Sequence, residues 1–415
     1  MNRVSLFILA LSLSSLYAES KEAQAPIFDG ASLTGWTTNK EEFASHWKAE
    51  KGMIVGDNPD EQGSTLWTDA EFKDFELTLD YQTDSPDYDS GVFVRGKAHQ
   101  VQIGVSRSLK KDLTGCIYAP ADKQGKYPAE TDKVGTHHKL GEWNHLRIRV
   151  VGPNVETYLN GEPFVTYQAP TIPKKGPIGL QLHAGVHQKM LFRNLLVKKA
   201  SYPEPPVVDP QYDGAPVSAP EGATVLFDGQ DTSLWKQVPK KGKELEDDAV
   251  QWTVENGYLE VIKGTGFIHL REPLLTSGHL HIEWATPAEV VGSSQGRGNS
   301  GVFIGGYPEV QVLDSYENKT YFDGQAGALY KQRPPMVNAS RPPGEWQSYD
   351  IHFTRAELDQ KGKVTSPALL TVYHNGVLIQ DHFATLNAAQ EGILRLQDHS
   401  NPVRFRNIWF LPSAE

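Results

Sequence analysis

The sequence predicts an all-β protein made of two tandem copies of one antiparallel β-sandwich. Three observations predict it. The same landmarks occur twice in the same order, apolar residues alternate with a period of two, and a proline-rich stretch separates the two sets.

Phe28-Asp29-Gly30, with Leu33 and Trp36 behind it, returns as Phe227-Asp228-Gly229 with Leu234 and Trp235. Ser90-Gly91-Val92-Phe93 returns as Ser300-Gly301-Val302-Phe303, and Val101-Gln102-Ile103 as Val310-Gln311-Val312. Gly141-Glu142-Trp143 matches Gly344-Glu345-Trp346, and Asn160-Gly161 matches Asn375-Gly376. Leu180-Gln181-Leu182-His183 matches Leu396-Gln397-Asp398-His399, and Phe192-Arg193-Asn194 matches Phe405-Arg406-Asn407. A common order for all of these excludes chance.

Phe75, Leu77, Leu79 and Tyr81 alternate with polar residues, as do Leu146, Ile148 and Val150 in the first copy. Leu280, Ile282 and Trp284, then Tyr349, Ile351 and Phe353, repeat this in the second. Each such run predicts a strand with one buried face. The two Asn-Gly pairs supply the positive φ values of tight hairpin turns, and Phe-Asp-Gly predicts a turn. Long stretches with helical spacing are missing, so the class is a sandwich. Between the copies, Pro203, Pro205, Pro206, Pro210, Pro216 and Pro220 predict an extended, semi-rigid spacer. The predicted organisation is a leader over 1–18, a first domain over 26–199, a linker over 200–222 and a second domain over 223–412.

The leader has Arg3 as a basic head, an apolar run from Val4 to Leu16, and Ala18 before the polar stretch that follows. This predicts a secretory signal peptide and a protein exported to the periplasm or beyond, soluble after cleavage, with no membrane span. Cys116 is the single cysteine, so an internal disulfide is excluded and a buried thiol is expected. A net charge of −11 without a Lys/Arg stripe argues against nucleic acid as a partner.

Together these motifs resemble the 3-keto-disaccharide hydrolase domain family, once in each half. In the second half they include Asn299-Ser300-Gly301-Val302-Phe303, Glu309-Val310-Gln311-Val312-Leu313-Asp314 and Val403-Arg404-Phe405-Arg406-Asn407. The resemblance implies a concanavalin A-like jelly-roll sandwich in each copy. It also implies a carbohydrate or glycoside ligand, with glycosides oxidised at C3 as the substrate class.

A retaining glycosidase needs two carboxylates roughly 5–5.5 Å apart. No strand here offers the alternating pair. A 3-keto sugar permits another route, because the ketone acidifies the C2 proton. A base removes that proton, the C1 substituent leaves, and water adds afterwards. Glu309 is the expected base, and His399 the expected acid or enolate stabiliser. Asp314 is expected to orient a partner, while Gln311 and Gln397 share the faces of Glu309 and His399 and are expected ligand contacts.

The first copy has Gln100 where the second has Glu309, and Ile103-Gly104-Val105-Ser106 where Asp314 ends the second strand. An amide cannot act as a base, so the first copy is expected to be a binding or structural domain, or a site that uses different residues, with Arg95, Gln102, Gln181 and His183 as the expected ligand contacts. Arg193-Asn194 and Arg406-Asn407 are expected to be structural. His279 and His281 could offer a metal two ligands, without a third nearby, so no metal ligands and no cofactor are predicted and a divalent metal is left open. The competing expectation is a non-catalytic carbohydrate-binding protein with two lectin-like modules.

Overall fold

A computed structural model describes residues 23–413, apart from 123–124, 170, 240–244, 306–307, 362–363, 367 and 386–391. The expected signal peptide lies outside the described residues.

Each copy is a two-sheet antiparallel sandwich with the same strand order. The small sheet of the first copy runs Trp36–Thr38, Ser64–Thr68, Gly179–Leu182, Asp89–Phe93, Gln100–Ser106. Its counterpart runs Trp235–Val238, Phe267–Leu270, Leu394–Leu396, Ser300–Ile304, Val310–Val312. The large sheets centre on Phe75–Gln82 beside Lys189–Lys199, and on Gly278–Ala285 beside Arg404–Pro412. The alternating residues read from the sequence meet between the sheets. Leu77, Leu79, Tyr81, Leu146, Ile148 and Val92 close one core, and Leu280, Ile282, Trp284, Tyr349, Ile351 and Val302 close the other. Cys116 is fully buried, and burial pushes its thiol up to about 11, which keeps it protonated and unreactive.

The repeated landmarks are mostly turns and irregularities. Asp29 Oδ1 accepts from the N–H groups of Ala31 and Ser32, and Asp228 Oδ1 from those of Gln230 and Asp231. Asn160-Gly161 and Asn375-Gly376 have φ of 51°/88° and 51°/78°, as a type I′ hairpin turn requires. Asn194 (φ 53°) and Asn407 (φ 49°) occupy bulges where the register of their strands shifts against Phe75–Gln82 and Gly278–Ala285. Asparagine tolerates this left-handed conformation better than most residues. The arginine before each asparagine stacks on the tryptophan of the Gly-Glu-Trp motif: Arg193 lies 3.9 Å from the Trp143 ring centre and Arg406 4.0 Å from that of Trp346.

The proline-rich stretch forms neither strand nor helix, but it is not a free spacer. Its later part lies along the second copy. The N–H groups of Gln211 and Tyr212 both donate to Asn375 O, and Arg406 donates to Gly214 O at 2.7 Å. Glu283, fully buried, accepts from Val217 N–H at 2.8 Å, Asn407 Nδ2 at 2.6 Å and Arg406 Nε at 2.6 Å. Burial works to raise the Glu283 pKa, yet the hydrogen bonds from His281, Asn407, Val217 and Arg406 outweigh it and hold the carboxyl at about 2. His279 and His281 bind one carboxylate oxygen, Asp350 Oδ1, at 2.8 and 2.7 Å. Among the described residues, no group of three or more His, Cys, Asp or Glu side chains is arranged to hold a metal ion.

Candidate functional site

In the second copy, Val302, Val310 and Leu396 point into the core, so the residues between them face outward from the small sheet. Gly301 pairs with Gln311 across one strand boundary, and its carbonyl accepts from Gln397 N–H at 3.1 Å across the other. Glu309 lies two residues before Gln311 and shares its face. The Glu309 side chain folds back across Gly301. A Cβ on Gly301 would stand 2.0 Å from Glu309 Oε1, so the carboxylate fills the space that the glycine leaves free. Sheet and side chains strip water from this carboxylate, and burial raises its pKa to about 7. Beside this corner, Gln397 Oε1 is buried without a donor.

The first copy builds the same corner with neutral groups. Gln100 folds over Gly91, where a Cβ would stand 2.1 Å from Gln100 Nε2, and that nitrogen donates to Gln181 Oε1 at 2.6 Å. The amide pair is closed. Replacing Gln100 by a carboxylate, as the second copy does, removes the donor and leaves the partner's carbonyl oxygen wanting a proton.

The remaining expected residues divide by what already holds them. Gln311 Nε2 donates to Asn299 Oδ1 and Val312 O, both at 3.0 Å, and Gln102 Nε2 donates to Asp89 Oδ1 at 2.8 Å. Asp314 is buried in an ion pair with Arg297, whose Nε donates to it at 2.8 Å. Its other oxygen accepts from Tyr316 N–H at 3.2 Å. His399 is exposed on the turn two residues beyond Gln397. Next to it, Asp398 accepts from the N–H groups of Gly264 and Gly266.

Arg95 does not present its guanidinium to the small-sheet face. A positive φ of 53° turns it away, and it is 2% exposed. Its Nη atoms donate to Asp74 Oδ1 at 2.8 Å and Gly152 O at 2.6 Å. The expectation of a ligand contact there gives way to a structural tie.

Sequence reasoning missed Asp89. It is buried beside His183, whose Nδ1 lies 3.7 Å from Asp89 Oδ2, and burial raises its pKa against the pull of His183, Gln102 and Arg107. The first copy thus keeps one carboxylate on this face, at the position of Asn299 in the second. Comparing residues 89 and 299 could have found it. Their side chains have the same shape and differ in charge.

Comparison with solved structures gives a glycosyl hydrolase candidate from Parabacteroides distasonis ATCC 8503 at 39% identity, covering 52% of this chain and 95% of that one, TM-score 0.44. A second from the same organism is 24% identical, covering 43% and 100%, TM-score 0.32. The carbohydrate-binding module CBM66 from Bacillus subtilis is 13% identical, covering 40% and 96%, TM-score 0.27. Comparison with curated proteins gives no match. The 3-keto-alpha-glucoside-1,2-lyase-like domain matches twice, over residues 24–198 and 222–411. With both sandwiches matched from end to end, the chain belongs to the 3-keto-alpha-glucoside-1,2-lyase-like domain family and carries that domain in two copies.

Proposed function

We propose that the second copy cleaves glycosides oxidised at C3 of one sugar, in an exported protein, with Glu309 as general base. One observation carries this reading: Glu309 is a half-buried carboxylate folded across Gly301 on the outer face of the small sheet, with a pKa of about 7 set by burial. At neutral pH such a group is part ionised and well matched to proton abstraction. Glu309 takes the C2 proton of the 3-keto sugar, and the electron pair moves into the ketone as an enolate. The enolate collapses, the C1–O bond breaks, and the departing oxygen takes a proton. Water then adds to the resulting double bond. His399 serves as proton donor or enolate stabiliser, and Asp314 positions Arg297 and the turn after the Glu309 strand. Gln397 offers its unpaired Oε1 to the proton that Glu309 acquires.

The test is release of free 3-keto sugar from a 3-keto-disaccharide, with the unoxidised parent as control and an active relative in parallel. Release from the keto substrate alone is expected. An inert protein beside an active relative overturns the reading.

A second reading concerns the first copy. Its closed Gln100–Gln181 pair has no ionisable group to act as a base, which favours carbohydrate binding there without turnover.

A further inference from the structure

The two copies enclose a cleft of about 1460 Å³. That exceeds the roughly 300–1,000 Å³ of a typical small-molecule pocket and leaves room for more than one sugar ring. Its edge is fastened where Gln332 O of the second copy accepts from Asn154 Nδ2 at 3.0 Å and Tyr202 OH at 2.8 Å. Domain junctions of this kind are common ligand sites.

The chemistry of the walls is uneven. Each carboxylate in the lining is already matched. Asp74 accepts from Arg95 and from Gly152 N–H, Asp122 from the Tyr167 hydroxyl, and Asp323 pairs with Lys331 at 3.4 Å. Lys174 and Lys199 line the same cleft, exposed and without an acidic partner among the described residues. Arg95, 2% exposed in the wall, has an Nε–H with no acceptor. A chain of net charge −11 thus keeps a positive surplus in this cleft. Tyr202 adds aromatic surface to the wall, while the Tyr321 ring is covered by Lys331, whose Nζ lies 3.0 Å from its centre.

The cleft also reaches the Glu309 strand. Pro308, next to Glu309, lines it, and Tyr330 N–H donates to Glu309 O at 3.0 Å. The Tyr330 and Tyr321 hydroxyls then meet at 2.9 Å.

We propose that this cleft holds the outer part of an acidic oligosaccharide whose reacting sugar lies at Glu309, with its carboxylate or sulfate groups meeting Lys174 and Lys199. The identity of the ligand as a glycan rests on the reading of Glu309 above, whereas binding in the cleft does not depend on turnover.

Calorimetric titration of the full chain with tetragalacturonate, and with cellotetraose as the neutral control, tests it. The acidic tetramer is expected to bind at one site, more weakly as salt rises, with the neutral tetramer at least tenfold weaker. Lys174→Glu combined with Lys199→Glu, both exposed positions, should weaken the acidic ligand by about tenfold or more. Equal affinity for the two tetramers, no binding at millimolar concentration, or indifference to the double reversal overturns the cleft assignment. None of these results touches the keto-sugar assay, so the two readings fail separately.

Discussion

Glu309 and Gln100 fold over equivalent glycines, and the difference between an ionisable oxygen and an amide nitrogen separates the two copies. Glu309→Gln should lower turnover of a 3-keto-disaccharide by about 10²–10⁴-fold, the usual contribution of a positioned base. The same substitution should stabilise the protein at alkaline pH. The Glu309 pKa rises from 4.5 to about 7 because burial penalises the charged form. Its contribution to stability is therefore fully present below pH 4.5 and is lost as pH rises through about 7. Gln cannot ionise, so at pH 8 the variant should be more stable by on the order of 2–3 kcal/mol, and near pH 4 about equal. Thermal melts at the two pH values decide this, and a variant less stable at pH 8 would contradict a buried carboxylate. In the wild type, kcat/KM should climb through pH 7 and level off above it, because the base works only when ionised. The alternation of the Val310 strand was enough to put Glu309 and Gln311 on one face. It could not show that Gln311 is held by Asn299, or that Arg95 turns toward Asp74 and Gly152. Those partners are set by packing between segments distant in sequence.

Strands and hairpin turns were legible because their signals are local: apolar alternation within a strand, and Asn-Gly at its end. The bulge at Asn407 was not, because a bulge is defined by the partner strand, where two residues face one. The repeated Phe-Arg-Asn motif is the trace it leaves. Asn407 holds a positive φ and donates to Glu283 Oε1 and Val217 O, both at 2.6 Å. Asn407→Ala should destabilise the second domain by ~2–3 kcal/mol, combining left-handed backbone strain with lost hydrogen bonds. Asn407→Gly should recover the backbone part and leave the hydrogen-bond loss. Calorimetric scans that rank wild type, Gly and Ala in descending stability support this account, and an Ala variant equal to wild type would refute it. Both variants loosen the linker from the strand. A glutamate-specific protease should therefore cut the 200–222 segment, at Glu221, faster in both variants than in wild type.

The two cores share no residue: one spans Phe28 to Val197 and the other Leu226 to Phe410. Each sandwich therefore has the means to fold by itself. The repeat made this legible in the sequence, but the ownership of the linker was not, since proline content says only that a stretch is extended. The hydrogen bonds assign its later part to the second copy, through Gly214 O, Val217 N–H and Val217 O, while Ser201 O and Tyr202 OH bond to Arg149 and Val151 O of the first. A chain starting at Ala200 should thus fold cooperatively and keep the Glu309 site, whereas one starting at Ala223 should be weaker. The difference should depend on pH in a definite direction. Val217 N–H is one of the donors that hold the Glu283 carboxyl at about 2. A depressed pKa contributes stability that is present above the unfolded value of about 4.5 and is lost as pH falls through the folded value. Without Val217, the Glu283 pKa moves up toward its ordinary range, so the shorter chain should reach its acid-unfolding midpoint at higher pH than the longer one. Parallel acid titrations followed by tryptophan fluorescence measure both midpoints. Coincident midpoints would show that the linker lies on the second copy without stabilising it, and the 200–222 segment would then be a spacer after all.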